Sequence, residues 1–397
     1  MKIIRWAGLA VLLLLIAGLV NEFRPVGAVP ALQTIGSTAG GSGGSQRVPW
    51  PATGQAAIGG EQGGAIASTP NARARPIASV AKVMTALVVL DEKPLNVGDQ
   101  GPAITMTPYD VTEYQQDKAA QQSVVAVQAG EQLTEYQALQ ALLIPSGNNI
   151  ASLLARWASG SVDAHVKKMN ARARAMGMHR TRFADVSGFS ERTVSTPSDM
   201  VRLGQAALDN PVLAGIVQQE QVMLPVAGLQ VNVNYALGQS GIFGIKTGNT
   251  PSGGAIYLFA GDVQVSGGAR IYVVGAVQDL PTLQDAFTAA KTLLGAAGTS
   301  LHVLRVVSKD QPVGRYDLPW GGGSRVVATQ DLDVYVWAGT TVHRALRARA
   351  VSPPVAPGTK VGSLHVTVGD AVFDLPVRNV DELSAPGRLA RLTRVTW

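Results

Sequence analysis

A long helical block lies between two groups of strand-like segments in this sequence, and this order restricts the fold more than any other feature. Strands on both sides of a helical block predict an α+β domain, in which helices pack on an antiparallel sheet. We expect this domain to span residues 48–298. The strand signals are apolar segments at residues 56–58, 64–67, 241–247, 255–259 and 271–277.

The helical block shows apolar residues at helical spacing in several separate segments. The first predicted helix follows Ser79 directly, with Val80, Val83 and further apolar residues on one face. A second helix, over residues 133–143, is stopped by Pro145, and a third covers residues 162–176. The sequence therefore predicts several helices that cover one face of the sheet.

The end of the block carries clear helix-start signals. Thr196 and Asp199 form an N-cap and a capping-box acid around a first-turn proline, so a fourth helix is expected there. A last amphipathic helix is predicted over residues 282–294, followed by a linker at residues 295–299. Residues 299–380 alternate apolar and polar positions and predict a small all-β domain, with strands at residues 303–307, 334–337, 364–368 and 372–377.

Both termini carry signals that are separate from the globular body. Lys2 and Arg5 precede an apolar run, so residues 1–30 read as an export signal peptide or, if it is not cleaved, as an N-terminal membrane anchor. Residues 31–47 are rich in Gly, Ser and Thr and predict a flexible linker. Residues 381–397 form a basic tail, for which a membrane-surface helix and a solvated segment both stay open.

Three short polar motifs stand out in the globular body: Ser79-Val80-Ala81-Lys82, Ser146-Gly147-Asn148 and Lys246-Thr247-Gly248. Each motif alone is ordinary, since a serine often caps a helix and a short S-G-N or K-T-G stretch often forms a turn or a strand end. Their joint order matches a known serine-nucleophile signature of β-lactamases and penicillin-binding proteins. The combination therefore indicates nucleophilic catalysis.

The first motif has a direct physical interpretation. Residues three apart on a helix share one face, so Lys82 can lie beside Ser79. A serine hydroxyl becomes a good nucleophile only when a neighbouring base removes its proton. Lys82 can be that base if burial or a nearby cation lowers its pKa, and Lys246 is a candidate for that cation. We therefore expect Ser79 and Lys82 to be catalytic.

The other two motifs supply a proton relay and substrate contacts. Ser146, on a loop after Pro145, is expected to pass a proton to the leaving amine, and Asn148 to hold a peptide group of the substrate. Lys246 adds positive charge, and Thr247 offers a hydroxyl to a terminal carboxylate. Gly248 leaves the strand edge bare, so that a peptide can approach it closely.

Other residue types give no competing site. The sequence has no cysteine, and its five histidines are dispersed, so we predict neither a metal site nor a cofactor. The net charge of +6 is scattered along the chain rather than clustered, which argues against nucleic acid as a partner. Asp185, Glu191 and Asp199 are expected to cap helices or form surface ion pairs, and residues 231–235 to form an edge strand with Asn232 and Asn234.

The motifs and their flanks resemble the low-molecular-mass penicillin-binding proteins, the D-alanyl-D-alanine carboxypeptidases of serine peptidase family S11. Further similar stretches are Ala78–Ala86, Met169-Asn170, Met176–Met178, Thr181–Phe183, Ser195–Met200 and Ala356–Gly362. The resemblance covers roughly residues 48 to 380. Two positions depart from it: Asn149 and Phe243 both stand where the family commonly has aspartate. We expect altered local packing or specificity there rather than lost activity.

The resemblance implies a β-lactamase/transpeptidase-like fold followed by the small β domain. It also implies attack by Ser79 on a peptidoglycan stem peptide that ends in D-Ala-D-Ala, with the N–H groups of Ser79 and Asn249 as the oxyanion hole. β-Lactams would then be covalent inhibitors, and the enzyme would act outside the cytoplasmic membrane, at the cell wall. Two alternatives stay open: a β-lactamase, and a non-catalytic penicillin-binding or wall-binding protein.

Overall fold

A computed structural model describes residues 16–36, 38–39, 48–61, 63–250, 253–265, 268, 270–337 and 340–393. The helices are α1 (described over residues 16–23), α2 (Ala81–Glu92), α3 (Pro108–Ala119), α4 (Glu135–Leu143), α5 (Asn148–Ser159), α6 (Val162–Ala175), α7 (Pro197–Asp209), α8 (Pro211–Val217), α9 (Leu283–Ser300) and α10 (Arg388–Thr393).

The strands are β1 (Leu32–Gln33), β2 (Thr38–Ala39), β3 (Gln55–Gly59), β4 (Ala65–Ser68), β5 (Arg75–Pro76), β6 (Ala103–Thr105), β7 (Gln132–Thr134), β8 (Val194–Ser195), β9 (Gln221–Leu224), β10 (Gly228–Val231), β11 (Ile242–Thr250), β12 (Gly254–Gln264), β13 (Arg270–Leu280), β14 (Leu301–Val307), β15 (Pro312–Asp317), β16 (Gly323–Ala328), β17 (Leu332–Trp337), β18 (Thr341–Ala348), β19 (Lys360–Val368) and β20 (Ala371–Asn379). Residues 232–235 are not a strand, so the predicted edge strand there is wrong.

The central sheet of the larger domain has five antiparallel strands in the order β11-β12-β13-β3-β4. Successive side chains of β12 point to opposite faces, as the pleat of a strand requires. Ile256 and Leu258 join the core formed with the helical block, whereas Tyr257 and Phe259 join the core on the other face, where α9 packs. The expected α+β architecture is confirmed, with the sheet between two helical layers.

Helix α2 is the centre of the helical block. All residues from Ala81 to Leu90 are buried, because α4, α5, α6 and α7 surround the helix. A helix that is apolar on all sides is stable only when other elements cover it completely. Lys82 is the one charged residue in this buried stretch, so its position demands a specific partner.

The structure corrects the predicted linker at residues 295–299. Helix α9 continues to Ser300, and β14 begins at Leu301. Small residues explain the continuation: a β-carbon added to Gly298 would lie 3.3 Å from the Gln264 carbonyl oxygen, so the bare glycine lets the helix end pack closely on the sheet. The glycines of this segment therefore serve helix packing rather than a flexible connection.

The C-terminal domain contains a seven-stranded antiparallel sheet in the order β1-β15-β16-β20-β19-β18-β2. Both edge strands, β1 and β2, come from the segment that was predicted as a flexible linker, and that prediction is wrong for these residues. Ser37 and residues 40–47 lie outside the described residues. Because β1 and β2 are only a few residues apart in the chain, the two edges of the sheet must lie close together. Strands β15, β16 and β18 were not predicted.

Backbone hydrogen bonds join the two domains. In the β3–β4 hairpin, the carbonyl oxygens of Gly63 and Ala65 accept from the N–H groups of Val372 and Asp370 at 2.9 and 2.8 Å. Arg202 of α7 also donates to the Gly63 carbonyl oxygen. The hairpin therefore connects the edge of the five-stranded sheet to the C-terminal domain.

The two chain ends meet on the surface. Residues 1–15 and 394–397 lie outside the described residues, so the predicted leader and basic tail are described only in part. In the described parts, Arg388 of α10 forms an ion pair with Glu22 of α1 at 3.0 Å. Among the described helices, none has the length and apolar character needed to cross a membrane.

Candidate active site

Ser79 lies in the 3-10 turn Ala78–Val80 that leads into α2. Lys82 follows one turn later, and its Nζ atom lies 2.7 Å from Ser79 Oγ and 3.2 Å from the Ser187 carbonyl oxygen. The helical spacing of the first motif thus brings its amine and its hydroxyl into direct contact. The pair is poised for proton transfer, because the two heavy atoms are already at hydrogen-bonding distance.

The surroundings of Lys82 favour the neutral amine. Burial lowers its pKa well below the ordinary value, and the charge of Lys246 lowers it further. The carboxylates of Asp185 and Asp117 oppose these two effects. Burial is the largest cause, as expected for an ammonium group that is fully removed from water. A neutral Lys82 can accept the proton of Ser79.

The third motif lies on β11 and contacts the first. A β-carbon added to Gly248 would lie 2.8 Å from Ala78 Cβ and 3.2 Å from the Ser79 backbone nitrogen. Lys246 is also buried, its Nζ donates to the Thr247 carbonyl oxygen at 3.1 Å, and burial lowers its pKa to about 7. The glycine of the K-T-G motif therefore allows the strand edge to reach the nucleophile turn.

The second motif forms the sharp connection between α4 and α5. Ser146 has a positive φ of 68°, and Asn148 begins α5. Ser146 Oγ is buried and has no hydrogen-bond partner among the described residues. A buried hydroxyl without a partner is unfavourable unless a ligand or water satisfies it, so this atom is available to a substrate or a proton-relay step.

A chain of hydrogen bonds fixes the side chain of Asn148. Its Nδ2 donates to Gln122 Oε1 at 2.5 Å, and Gln122 Nε2 donates to Asp117 Oδ1 at 2.9 Å. A carboxylate only accepts hydrogen bonds when it is ionised, so Asp117 determines which end of each amide faces the next group. Neither Gln122 nor Asp117 belongs to a sequence motif, so their role could not be predicted from the sequence.

Asp185 organises a loop that borders the site. It accepts hydrogen bonds from Ser187 Oγ at 3.0 Å, from the N–H of Phe189 at 2.8 Å and from Thr193 Oγ1. The same loop presents the Ser187 carbonyl oxygen to Lys82. The expectation that Asp185 caps a helix or pairs on the surface is therefore wrong, because its carboxylate holds an active-site loop together.

Asp199 makes structural contacts, and so does Asn149, which stands where the family commonly has aspartate. Asp199 accepts from the N–H of Arg180 and from Thr181 Oγ1, rather than returning a hydrogen bond to the N-cap Thr196. Asn149 accepts from the N–H of Val125 and donates to its carbonyl oxygen. An aspartate could only accept, so the amide suits this paired contact.

An open cleft of about 570 Å³ lies above the nucleophile. Of the predicted site residues, Ser79, Asn148 and Asn249 line it, while Lys82, Ser146, Lys246 and Thr247 are buried in the protein. Glu191 also lines the cleft, which contradicts its expected role as a helix cap or surface partner. Phe243 is not among the lining residues and packs edge-on against Tyr272. The cleft lining is Ala78, Ser79, Ala120–Ser123, Asn148, Gly188, Phe189, Glu191, Asn249 and Thr250.

The described residues contain no group of three or more His, Cys, Asp or Glu side chains that could hold a metal ion. His165, one of the five dispersed histidines, is buried between Ser159 Oγ and the Thr85 carbonyl oxygen.

Comparison with known proteins supports the fold and the family. The family model described as D-alanyl-D-alanine carboxypeptidase, peptidase family S11, matches residues 51–274. Penicillin-binding protein 5 from Haemophilus influenzae has a similar structure, with a TM-score of 0.68, 17% sequence identity, and coverage of 86% of this chain and 100% of that chain. A penicillin-binding protein homologue from Mycobacterium tuberculosis gives a TM-score of 0.54 at 29% identity over 64% of this chain and 93% of its own.

Two curated relatives show how much of the chain is shared. The D-alanyl-D-alanine carboxypeptidase DacB2 of Mycobacterium tuberculosis is 33% identical over 220 residues, which is 54% of this chain and 70% of the relative. A D-alanyl-D-alanine endopeptidase of Pseudomonas aeruginosa is 36% identical over 139 residues, which is 35% of this chain and 42% of the relative. This chain thus spans less than half of the endopeptidase.

The family resemblance and the predicted α+β fold class are both confirmed. The matched region contains the three motifs, strands β3, β4, β11 and β12, and the first residues of β13. The chain belongs to peptidase family S11, the D-alanyl-D-alanine carboxypeptidase family of serine peptidases.

Proposed function

We propose that this protein is a serine D-alanyl-D-alanine carboxypeptidase, which removes the terminal D-alanine from peptidoglycan pentapeptides through an acyl-enzyme on Ser79. The observation that carries the proposal is the 2.7 Å contact between Lys82 Nζ and Ser79 Oγ. Burial lowers the pKa of that amine well below its ordinary value, which favours the neutral form that can act as the base of a serine nucleophile.

In the proposed mechanism, Lys82 takes the proton from Ser79 as Ser79 Oγ attacks the carbonyl carbon of the penultimate D-alanine. The resulting oxyanion accepts hydrogen bonds from the backbone N–H groups of Ser79 and Asn249. One such donor is typically worth about 3 kcal/mol of transition-state stabilisation. Lys246 and Thr247 bind the terminal carboxylate of the peptide.

Proton transfer to the leaving group completes the first half of the reaction. Ser146 passes the proton held by Lys82 to the nitrogen of the departing D-alanine, the C–N bond breaks, and an ester of Ser79 remains. Water then attacks this ester, Lys82 takes a proton from the water, and Ser79 regains its proton as the shortened peptide leaves. Asn148 holds the peptide backbone throughout.

The full-length protein, labelled with a fluorescent penicillin, tests the nucleophile. Wild type should form a covalent adduct that Ser79→Ala does not form. Ser123→Ala is the matched control, because Ser123 lines the same cleft but belongs to no motif. D-alanine release from a pentapeptide should follow the same pattern. Equal labelling of wild type and Ser79→Ala would overturn the proposal.

Endopeptidase action on cross-linked peptides is a second candidate, because the relatives from Pseudomonas aeruginosa and Escherichia coli are named D-alanyl-D-alanine endopeptidases. Parallel incubation with a pentapeptide and with a cross-linked dimer separates the two activities. The same penicillin experiment addresses the remaining alternatives. Rapid turnover of penicillin would indicate a β-lactamase, whereas stable labelling without D-alanine release would indicate a non-catalytic penicillin-binding protein.

The site of action follows from the substrate class. Peptidoglycan peptides lie outside the cytoplasmic membrane, so we propose that the N-terminal segment directs export and, if it is retained, holds the enzyme at the outer face of the membrane. Mass spectrometry of the intact protein from its host cell tests the fate of this segment. An intact mass that matches a chain starting near residue 29 indicates cleavage. The mass of the full-length chain, together with recovery in the membrane fraction, indicates an anchor.

A further inference from the structure

A cavity of about 370 Å³ lies between the two domains and shares no described lining residue with the catalytic cleft. The β3–β4 hairpin contributes Gly60, Glu61 and Ile66 to its wall, and the C-terminal domain contributes residues 332–335 of β17 and 373–375 of β20. Ligand cavities usually have volumes of about 300–1,000 Å³ and often lie at domain boundaries. The mechanism above does not use this cavity, so its contents call for a separate explanation.

Strand β17 presents an open edge to the cavity. Successive side chains of a strand point to opposite faces, so a cavity that is lined by four consecutive residues, 332–335, faces the edge of β17 rather than one of its faces. Among the described strands, β17 pairs only with β14. Alternate N–H and C=O groups on its other edge therefore have no strand partner, and such an edge readily accepts a further strand.

Strand β20 has a shorter open stretch at the same cavity. The N–H of Val372 donates to the Gly63 carbonyl oxygen, so it points away from β19. The carbonyl oxygen of Pro376 accepts from the N–H of Thr329 and points the same way. Asp374 lies midway between Val372 and Pro376 in a regular register, so its N–H and C=O also point away from β19. No backbone group of a described residue bonds to them, which leaves one donor and one acceptor open to the cavity.

The charged side chains of the described cavity lining are all carboxylates, although the whole chain has a net charge of +6. They belong to Glu61, Asp333 and Asp374. Asp333 pairs with Arg305, and Asp374 contacts His365. No ion pair or hydrogen bond with a described residue engages the Glu61 carboxylate. A ligand with positive charge complements this surface.

We propose that the cavity binds an extended peptide segment with basic side chains, which adds a strand along the open edge of β17. Hydrogen bonds from the peptide backbone to β17 and to Asp374 provide affinity, as in other cases of strand addition. The Glu61 carboxylate then selects a segment that carries lysine or arginine. The cavity is separate from Ser79, so binding does not depend on the catalytic activity.

The charge preference is tested with the full-length protein and a fluorescein-labelled Val-Lys-Val-Lys-Val peptide, whose binding is followed by fluorescence anisotropy at low salt. Glu61→Gln should weaken binding about fivefold, the size of a partly exposed ion pair. Glu61→Lys should make a Val-Glu-Val-Glu-Val peptide the better ligand. Glu382→Gln is the matched control, because it removes the same charge from an exposed position that does not line the cavity. Equal affinity of wild type for the basic and acidic peptides would overturn the proposal.

Strand addition is tested separately from charge. Methylation of the backbone nitrogens of the basic peptide keeps its charge but removes its N–H donors, so binding should fall about tenfold or more. Asp374→Pro removes the open N–H of β20, whereas Asp374→Asn removes only the charge. Proline already occupies the equivalent position two residues later, at Pro376. The proline variant should therefore weaken binding more than the asparagine variant.

Two results would reject the proposed site. If the methylated peptide binds as well as the unmodified one, the peptide does not add a strand, and this result stands even if Asp374→Pro fails to fold. Excess penicillin should leave peptide binding unchanged, because it occupies the other cleft. Displacement of the peptide by penicillin would place it at Ser79 instead of between the domains.

Discussion

Gly188 and Ala78 meet backbone against backbone beside the nucleophile. A β-carbon added to Gly188 would lie 1.7 Å from the Ala78 carbonyl oxygen, and Gly188 has a φ of +80°. Ala78 itself has a φ of +47°, a conformation that is uncommon for a residue with a side chain. The loop held by Asp185 therefore presses directly on the residue that precedes Ser79.

Gly188→Ala should remove most of the activity while the protein stays folded. The added methyl group must displace the Ala78 carbonyl, and a shift of about 1 Å at a nucleophile typically costs about 100-fold in rate. The acylation rate with fluorescent penicillin measures the effect. Gly215→Ala is the control, since outside its own helix no atom of the described residues lies within 4 Å of its added β-carbon. Acylation at the wild-type rate in Gly188→Ala would show that this contact does not position Ser79.

The two buried lysines predict a bell-shaped dependence of kcat/KM on pH. Lys82 must be neutral to accept a proton, so activity rises as the pH increases through its lowered pKa. Lys246 must be charged to attract the substrate carboxylate, and its pKa is about 7. Activity should therefore fall as the pH rises above about 7, where Lys246 loses its proton.

Lys246→Arg tests the assignment of the alkaline limb. Arginine remains charged across this range, so the fall above neutral pH should disappear even if the maximal rate is lower. The measurement is the pH profile of kcat/KM for D-alanine release. An alkaline limb that stays near pH 7 in the variant would assign it to a different group.

Gln122 is a positioning residue for Asn148. Gln122→Leu removes the acceptor that holds Asn148 Nδ2, and the loss of such a hydrogen bond should lower kcat/KM about tenfold. Asp117→Asn should retain most of the activity, because the new amide still offers a carbonyl oxygen to Gln122. For Gln122→Leu we expect a higher KM with little change in the pH profile of kcat/KM. A parallel loss in both variants would instead point to the charge of Asp117.

Gln33 links the edge strand β1 to β18, the strand next to the opposite edge of the C-terminal sheet. Its backbone pairs with β15, while its side chain donates to the Arg344 carbonyl oxygen and accepts from the N–H of Leu346 on β18. Gln33→Ala should lower the free energy of unfolding by about 1 kcal/mol, measured by urea titration. Gln230→Ala is the control, because in the described part of the chain its side chain bonds only to the nearby backbone of residues 227 and 229. Equal stability of both variants would contradict this role.

Several features could be predicted from the sequence because they depend on local spacing. Lys82 lies one helical turn from Ser79, so their contact follows from helix geometry. The N-cap at Thr196 and the strands around Lys246 follow from short-range patterns in the same way. The order of the motifs then identified the family without any knowledge of distances.

Other features depend on residues that the chain brings together over long distances. Glycines at residues 295 and 298 signal a linker by composition, yet packing against the sheet keeps that segment helical. Asp185 and Glu191 read as ordinary surface acids, because nothing nearby in the sequence indicates that their loop borders a cleft. The Gly/Ser-rich composition of residues 31–47 likewise predicts a linker, although two edge strands, β1 and β2, form in this segment.

The sequence alone determined which chemical groups the protein possesses and which of them share a helical turn or a strand. Tertiary structure decided which loop meets Lys82, since Ser187 is 105 residues away, and which strands Gln33 bridges, since Arg344 is 311 residues away. The physical reason is that local periodicity specifies only near neighbours. Contacts between distant segments are selected by the burial of a common core and by the pairing of backbone groups that would otherwise be left without partners.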